Sequence, residues 1–208
     1  HGDGGAFSKQ DSLFVLSWNS ICGSASSGFP RRFLFTILRK RDMAEGTMEE
    51  LWRVFAWSVN ALLTGITPGE DWQQRPIGGG AQFICNKWRA ALVQVRGDWE
   101  FLANTLGLPN WAAAENMCWM CAASNAPGDY RWHIMGEEAG WRRTRRSHAS
   151  YMDELRERGA DPPLLFTLVV GLTLGCVMVD VLHCVDLGVA AHVFGNVVVS
   201  CIMKKVWG

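Results

Sequence analysis

The feature that most constrains this chain is an apolar stretch of 16 residues, from Leu164 to Val179, which contains Thr and Gly but no charged residue. A transmembrane helix needs about 20 apolar residues. Asp180 ends the stretch, and His183 and Asp186 follow it, which would be costly inside a bilayer. The stretch therefore predicts a buried segment of a globular core. A membrane-associated subunit that uses residues 164–203 is the minority alternative.

The composition also favours a single globular domain. The 208 residues include 20 Lys and Arg and 20 Asp and Glu, and this balance excludes binding to nucleic acid through bulk positive charge. The seven cysteines are odd in number and stand mostly in apolar surroundings, which indicates reduced thiols in an intracellular protein. Because the chain starts at His1 and ends abruptly at Gly208, we expect a fragment of a longer protein.

Two strands and a helix are predicted in the first third of the chain. Residues 11–18 are rich in β-branched and aromatic side chains, and residues 33–38 are apolar on both faces, which together predict an antiparallel meander of two or three strands. The glycine- and serine-rich stretch from Gly23 to Pro30 predicts a turn. Thr47 and Glu50 have the spacing of a capping box and precede apolar residues at helical intervals, up to a stop at Gly65.

Three parts of the chain differ in texture. Residues 1–108 predict the first part of a core, with a short strand over Ala91–Val95 and a short helix from Trp99 to Leu106. Residues 109–160 carry cysteine, histidine and clustered arginine, and they predict an inserted lobe with one helix from Ser150 to Arg158. Residues 161–208 predict an apolar, mostly helical segment that returns to the core.

The order of these elements indicates an α/β fold (α+β, with a mixed sheet) of the ribonuclease-H-like kind. In that fold one acid lies on the first strand and another just after the fourth, and here Asp3 and Asp98 occupy those places. Carboxylates on neighbouring strands can bridge two divalent ions about 3.5–4 Å apart, and Mg²⁺ or Mn²⁺ prefers such oxygen ligands. In the alternative interpretation, Asp98 caps the following helix and Asp3 is a turn residue.

A series of short motifs carries a resemblance over nearly the whole chain. The motifs are His1-Gly-Asp-Gly4, Ser17-Trp18, Glu49-Glu-Leu-Trp52, Arg96-Gly-Asp-Trp-Glu-Phe101, Cys118-x-x-Cys121, Gly140-Trp-Arg-Arg143 with His148, Asp180-x-x-His183-x-x-Asp186-Leu-Gly188 and His192-x-x-Gly-Asn196. With them the sequence resembles the DDE (Asp-Asp-Glu) transposases of the CACTA, or En/Spm, type, and more closely the transposase-like open reading frames of protist genomes.

The resemblance implies metal-dependent cleavage and transfer of DNA strands, in the nucleus, with Asp3 and Asp98 as catalytic acids holding Mg²⁺ or Mn²⁺. DNA is the implied partner, and assembly into a homo-oligomer is left open. The family's third acid is a Glu near a late helix, and no clear counterpart precedes Gly208. Asp180 or Asp186 would be an unusual substitute, and Glu154 and Glu157 lie in the predicted insertion. The chain then either stops short of the third acid or is a degenerate, catalytically crippled copy.

The Cys118-x-x-Cys121 pair has the spacing of half a zinc site, which needs further Cys or His ligands. His148 occupies the place where the family has a histidine, and His133 is the other nearby candidate. A zinc-stabilised module that binds nucleic acid or protein without catalysis is therefore the main alternative function. Two further interpretations are a redox-active dithiol and a pair of packed thiols.

Two polar groups complete the candidates. The first comprises Arg142, Arg143, Arg145 and Arg146, which could hold the DNA backbone because guanidinium groups match phosphate geometry. Pairing of these arginines with glutamates on a solvated face is equally compatible. The second comprises Asp180, His183 and Asp186, which would share one side of a helix as metal ligands or, more in keeping with the apolar surroundings, as a buried supporting polar cluster.

Overall fold

A computed structural model describes residues 2–8, 11–22, 32–110, 112–113, 115–128, 130–180 and 190–204. It is a mixed α/β structure, as the sequence predicts, with one five-stranded sheet. The strands and helices are β1 (Gly2–Ser8), β2 (Asp11–Asn19), β3 (Arg32–Arg39), α1 (Thr47–Thr64), β4 (Val95–Gly97), α2 (His148–Glu157), α3 (Leu164–Leu168), β5 (Val177–Val179) and α4 (Ala191–Met203).

The sheet has the strand order β3-β2-β1-β4-β5. The first three strands form the predicted antiparallel meander, in which β2 pairs with both β1 and β3. The chain then crosses through α1 to the other side of β1, where β4 pairs parallel to β1 and β5 pairs parallel to β4. The first strand therefore lies at the centre of the sheet. The turn predicted between Gly23 and Pro30 lies outside the described residues.

The predicted helix is present as α1, but the predicted capping box is wrong. Gly46, with a left-handed φ of 81°, is the N-cap, and Thr47 is the first helical residue. The Thr47 hydroxyl accepts a hydrogen bond from the backbone N–H of Ala44 at 3.0 Å, so it stabilises the preceding turn instead of the helix end. At the other end, Gly65 has a φ of 71° and its N–H closes the last turn on Ala61 at 2.9 Å, the left-handed cap that glycine favours.

The core lies between one face of the sheet and α1. Phe14 from β2 stacks on Phe101, and Trp52 from α1 meets the same ring edge-on. The other end of α1 is fixed by Asn60, whose side-chain amide donates to the carbonyl of Leu168 at 2.8 Å and accepts from the N–H of Val170 at 3.0 Å. The Asn60 amide thus satisfies one backbone group at the end of α3 and one just after it, and it ties the end of α3 to α1.

The apolar stretch after residue 163 contributes several buried residues to the core, as predicted. It begins as the helix α3 and ends as the strand β5, and the helix α4 follows over Ala191–Met203, so the described part of residues 161–208 contains both helix and strand. β5 has only three residues, too few to show an alternating pattern. The strand predicted over Ala91–Val95 is also displaced, since β4 spans Val95–Gly97. The short helix predicted after it is present as a π-helical turn over Phe101–Thr105.

Between Pro109 and Ser147 the described residues form turns, an isolated bridge between Ser124 and Arg131, and a 3₁₀ turn over Gly140–Thr144. The predicted second helix follows as α2, two residues earlier than expected. A genuine capping box begins it, because the Ser147 and Ser150 side chains each accept from the other's backbone N–H. Within the described ranges, no helix combines the length and apolar character that crossing a bilayer requires.

Candidate functional site

Three acidic residues follow one rung of the parallel part of the sheet. Gly2 of β1 pairs with Gly97 of β4, and Gly97 pairs with Val179 of β5. The next residue on each strand is an aspartate: Asp3, Asp98 and Asp180. Since neighbouring strands lie about 4.8 Å apart, the backbone brings these three positions into a row. Residue 3 lies near the start of β1, whereas residues 98 and 180 directly follow the ends of β4 and β5.

The row lies where the strand order reverses. The chain enters the sheet at β1, extends it through β2 and β3, and returns to the opposite side of β1 as β4. Residues 3 and 98 border the reversal, and residue 180 extends the row by one strand.

Two glycines bring β1 and β4 close to a buried aromatic ring. A Cβ at Gly2 or at Gly97 would overlap the ring of Phe101, which is 4% exposed. Each of these glycines directly precedes an aspartate of the row. The glycine allows the strand to pack against the ring, and the residue after it is a member of the row. The sequence has three Gly-Asp pairs, at 2–3, 97–98 and 128–129, and it does not show which two of them pack on an aromatic ring.

Asp98 has the capping role that the alternative interpretation assigns to it. Its Oδ1 accepts a hydrogen bond from the N–H of Phe101 at 2.7 Å, at the start of the π-helical turn. Its side chain is half-buried and borders an open pocket of roughly 230 Å³. The rim of that pocket also carries Lys40 and Glu100, which form an ion pair at 2.9 Å. Capping uses one carboxylate oxygen and leaves the acid at the edge of a cavity.

The sequence predicted a helix that carries Asp180, His183 and Asp186, but Asp180 is not helical. It directly follows β5, and its backbone N–H donates to the carbonyl of Gly97 at 3.0 Å, which continues the ladder by one bond. Residues 181–189, with His183 and Asp186, lie outside the described residues. Sequence reasoning missed the strand-end position, although the Val-Met-Val run before Asp180 is a weak strand signal.

The four clustered arginines divide into two environments. The Arg146 side chain is only 10% exposed, and its Nε lies 2.8 Å from Glu154. Its Nη1 donates to the carbonyls of both Cys118 and Cys121, at 2.6 Å each. Arg142, Arg143 and Arg145 are exposed, and the Arg142 guanidinium lies 5.4 Å from the centre of the Trp141 ring. Only these three present a cationic surface.

The Cys118-x-x-Cys121 turn holds two free, half-buried thiols that share a hydrogen bond. The Cys118 Sγ also accepts from the N–H of Met120 at 3.3 Å and from the N–H of Cys121. The thiol donated by Cys121, these amides and the nearby Arg146 lower the pKa of Cys118 to about 6. The same shared hydrogen bond and burial raise the pKa of Cys121.

His148, the third residue of the predicted zinc set, is engaged elsewhere. Its Nδ1 accepts a hydrogen bond from the N–H of Leu174 at 3.2 Å, and its ring meets Phe166 edge-on. Within the part of the chain that the structure describes, no three Cys, His, Asp or Glu side chains are grouped closely enough to hold a metal ion. The described side chains do not include that of Asp3.

The chain matches none of the protein-family models, none of the curated proteins and none of the solved structures with which it was compared. A function can therefore be inferred only from the row of residues 3, 98 and 180 and from the arginine and cysteine groups.

Proposed function

We propose that the chain belongs to a metal-dependent, transposase-like protein with a ribonuclease-H-like core that acts on DNA phosphodiesters. The supporting observation is the pairing of Gly2 with Gly97, because it puts residues 3 and 98 at equivalent positions on neighbouring parallel strands. The order β3-β2-β1-β4-β5, with three antiparallel and two parallel strands, is the order that such a core requires. The resemblance to DDE transposases supplies the reaction class.

Asp3 and Asp98 are the proposed metal ligands, with Asp180 as the third carboxylate in place of the Glu of the family. Aspartate oxygens on rigid strand ends suit Mg²⁺ or Mn²⁺, which prefer hard ligands. When bound, a pair of such ions would activate water or a DNA 3′-hydroxyl for in-line attack on a phosphodiester. The protein's contribution would be placement, because the strand ladder aligns the backbone of residues 3, 98 and 180 and the cap on Phe101 orients the Asp98 side chain.

The proposed DNA contact surface consists of Arg142, Arg143 and Arg145. These side chains are exposed within four consecutive residues, and guanidinium groups bind phosphate through paired hydrogen bonds. Contacts to phosphate position a protein on DNA without reading its sequence. Arg146 is not part of this surface because Glu154 and two backbone carbonyls already hold it.

Asp98→Asn is the sharpest test of the metal site, because asparagine caps a helix as well as aspartate does and removes only the charge. Loss of even an outer-shell partner lowers metal affinity about 10–100-fold. We therefore expect Mn²⁺ binding, measured by calorimetry, to weaken about tenfold or more in Asp98→Asn, with an unchanged urea midpoint. Asp153→Asn, an exposed aspartate on α2, is the matched control and keeps the wild-type affinity. Unchanged Mn²⁺ binding in Asp98→Asn would remove the catalytic assignment.

The DNA surface has its own test in the salt dependence of binding. Each lost phosphate contact reduces the slope of log K against log salt by about 0.9. The double substitution of Arg143 and Arg145 by Gln should therefore reduce the slope by about 2, in fluorescence-anisotropy titrations of a DNA duplex. Substitution of Arg53 and Arg156, two exposed arginines on α1 and α2, should leave the slope unchanged. Equal effects of both pairs would show that the cationic turn has no special role.

A further inference from the structure

The connection between α1 and β4 holds two aromatic rings in water, on a short turn that neither the metal site nor the arginine surface uses. Phe83 is 62% exposed, and Trp88 is 78% exposed, the largest exposed fraction among the described aromatic residues. Single apolar side chains on a surface need no explanation, whereas grouped ones mark interaction sites. Residues 83–89, the aromatic turn, therefore form a candidate binding surface.

Backbone hydrogen bonds fix the aromatic turn to the end of α1 on both sides. The N–H of Ile84 donates to the carbonyl of Gly65 at 3.0 Å. The N–H of Ala90 donates to the carbonyl of Leu62, also at 3.0 Å. Between these anchors, the N–H of Lys87 donates to the carbonyl of Ile84 at 3.1 Å and closes the turn. The turn is therefore ordered before a partner binds, which lowers the entropy cost of binding.

Two neighbouring residues of the aromatic turn have the left-handed backbone that glycine favours. Asn86 has a φ of 50° and Lys87 has a φ of 70°. This conformation is strained in a residue other than glycine, and such strain persists at binding sites because the surrounding structure imposes it. The backbone here brings the Lys87 Nζ to 5.0 Å from the centre of the Phe83 ring. A cation and an aromatic ring are therefore presented together.

The sequence around the aromatic turn is cationic in a chain whose formal charge is zero. Residues 72–97 contain four cations and no Asp or Glu. The four are Arg75, Lys87, Arg89 and Arg96. Arg75 pairs with Asp71, which precedes the segment, at 2.7 Å, whereas Lys87 and Arg89 are exposed on either side of Trp88. The charge of the turn is therefore complementary to an anionic partner.

We propose that the aromatic turn binds single-stranded DNA. Trp88 and Phe83 stack on unpaired bases, and Lys87 and Arg89 contact the phosphates beside those bases. Aromatic rings next to cations hold single strands without reading their sequence, because every base has a flat face and every linkage carries a charge. The proposal rests on the proposed action on DNA for the kind of strand, but it does not depend on the metal site.

Substitution of Trp88 tests the stacking. Fluorescence anisotropy in EDTA measures the Kd of the chain for a thymidine oligonucleotide of about 16 nucleotides. We expect Trp88→Ala to raise this Kd about tenfold, the usual effect of removing a stacked ring, and Trp88→Phe to stay within about threefold of the wild type. Trp18→Ala removes another exposed tryptophan, on β2, and should leave the Kd unchanged. Equal Kd values for Trp88→Ala and the wild type would overturn the proposal.

An abasic oligonucleotide of the same length separates stacking from charge. It keeps the phosphates and lacks the bases, so Trp88→Ala should bind it as tightly as the wild type does, which also shows that the variant is folded. Substitution of both Lys87 and Arg89 by Gln should reduce the slope of log K against log salt by about 1.4 on either strand, or about 0.7 for each phosphate contact. A loss in Trp88→Ala that is equal on the two strands contradicts the stacking role.

A membrane surface is the competing partner, because tryptophan and basic residues also occur at lipid headgroups. Stable attachment to a membrane needs a broad apolar surface or a lipid chain, whereas Trp88 stands between two cations. Sedimentation with anionic phospholipid vesicles that depends on Trp88, with an oligonucleotide Kd that does not, would show a membrane contact and refute the proposal.

The oligonucleotide measurements are independent of the proposed metal site, because EDTA removes divalent cations. A chain that binds no Mn²⁺ but shows the expected dependence on Trp88 would refute the metal assignment alone. A chain that binds Mn²⁺ through Asp98 but shows no dependence on Trp88 would refute the stacking surface alone.

Discussion

The sheet ends and the cysteine turn place their functional groups by different means. At the sheet ends, backbone pairing between β1, β4 and β5 sets the positions of Asp3, Asp98 and Asp180. At the cysteine turn, the Arg146 side chain holds Cys118 and Cys121 through their carbonyls. The strand register is fixed by several hydrogen bonds, whereas the cysteine turn is held by the side chain of one residue, Arg146. The second region should therefore be the more sensitive to single substitutions.

Arg146→Ala should produce the largest loss of stability. It removes two short hydrogen bonds to carbonyls and leaves Glu154, which is 31% exposed, without its closest partner. Breaking such a mostly buried pair costs about 3 kcal/mol, measured as the change in unfolding free energy in urea. The control Arg156→Ala removes an exposed pair on α2 and should cost less than about 0.5 kcal/mol. Equal costs would show that the clamp is not what holds the turn.

Gly97→Ala should produce the largest loss at the sheet ends. The added Cβ overlaps the Phe101 ring, and such overpacking costs about 2 kcal/mol. In a Phe101→Leu background the clash is relieved, so the double-mutant cycle should show a coupling of about 1 kcal/mol. Gly69→Ala, where the Cβ meets open space, is the control and should change the unfolding free energy little. An additive cycle would contradict the role assigned to Phe101.

Asp98→Ala should have a smaller effect on stability than either of these. It removes the cap on the N–H of Phe101, which is worth about 1 kcal/mol, whereas Asp98→Asn retains it. Thermal unfolding of the two variants measures the difference. If Asp98→Asn destabilises the chain as much as Asp98→Ala, the cap is not the dominant stabilising role of this residue.

A further test is the pH dependence of stability, and it concerns Cys118. Its folded pKa of about 6 lies below the value near 8.5 expected for an unfolded chain. A group with a depressed folded pKa adds stability above its unfolded pKa, and that stability is lost as the pH falls through the folded pKa. Between pH 5 and 8.5 the unfolding free energy should thus rise with pH, and less steeply in Cys118→Ala. Identical slopes would show that Cys118 titrates normally.

Local sequence patterns predicted much of the fold. β2 and β3 were predicted from their β-branched, aromatic and apolar residues, and α1 from apolar residues at helical intervals, because each element has eight or more residues over which such a signal accumulates. β4 and β5 have three residues each, too few for a period, so one was displaced and the other was interpreted as helix. β1 is rich in glycine, whose low strand propensity hides an element that neighbouring strands stabilise on both sides.

The candidate site was less accessible from sequence. The order of the predicted elements indicated Asp3 and Asp98, but the position of Asp180 beside them depends on the β4–β5 register, a contact between residues more than 80 positions apart. The difference between the mostly buried Arg146 and the three exposed arginines also depends on contacts between residues distant in sequence. Arg146 differs from Arg145 only in where the backbone directs it, and its partners Cys118 and Glu154 are set by tertiary packing.

The brevity of β4 and β5 has a consequence for motion at the proposed metal site. Three pairings join β4 to β5 and one joins β4 to β1, against seven between β2 and β3. Segments with few protected amides open at lower free energy than the whole domain. Amides of residues 96–98 and 177–180 should therefore exchange with deuterium earlier than those of β2. The amides at positions 98 and 180 would exchange together, while the amide at position 3 stays protected. A divalent cation that joins these three positions would therefore slow exchange on the β4 and β5 side of the sheet alone.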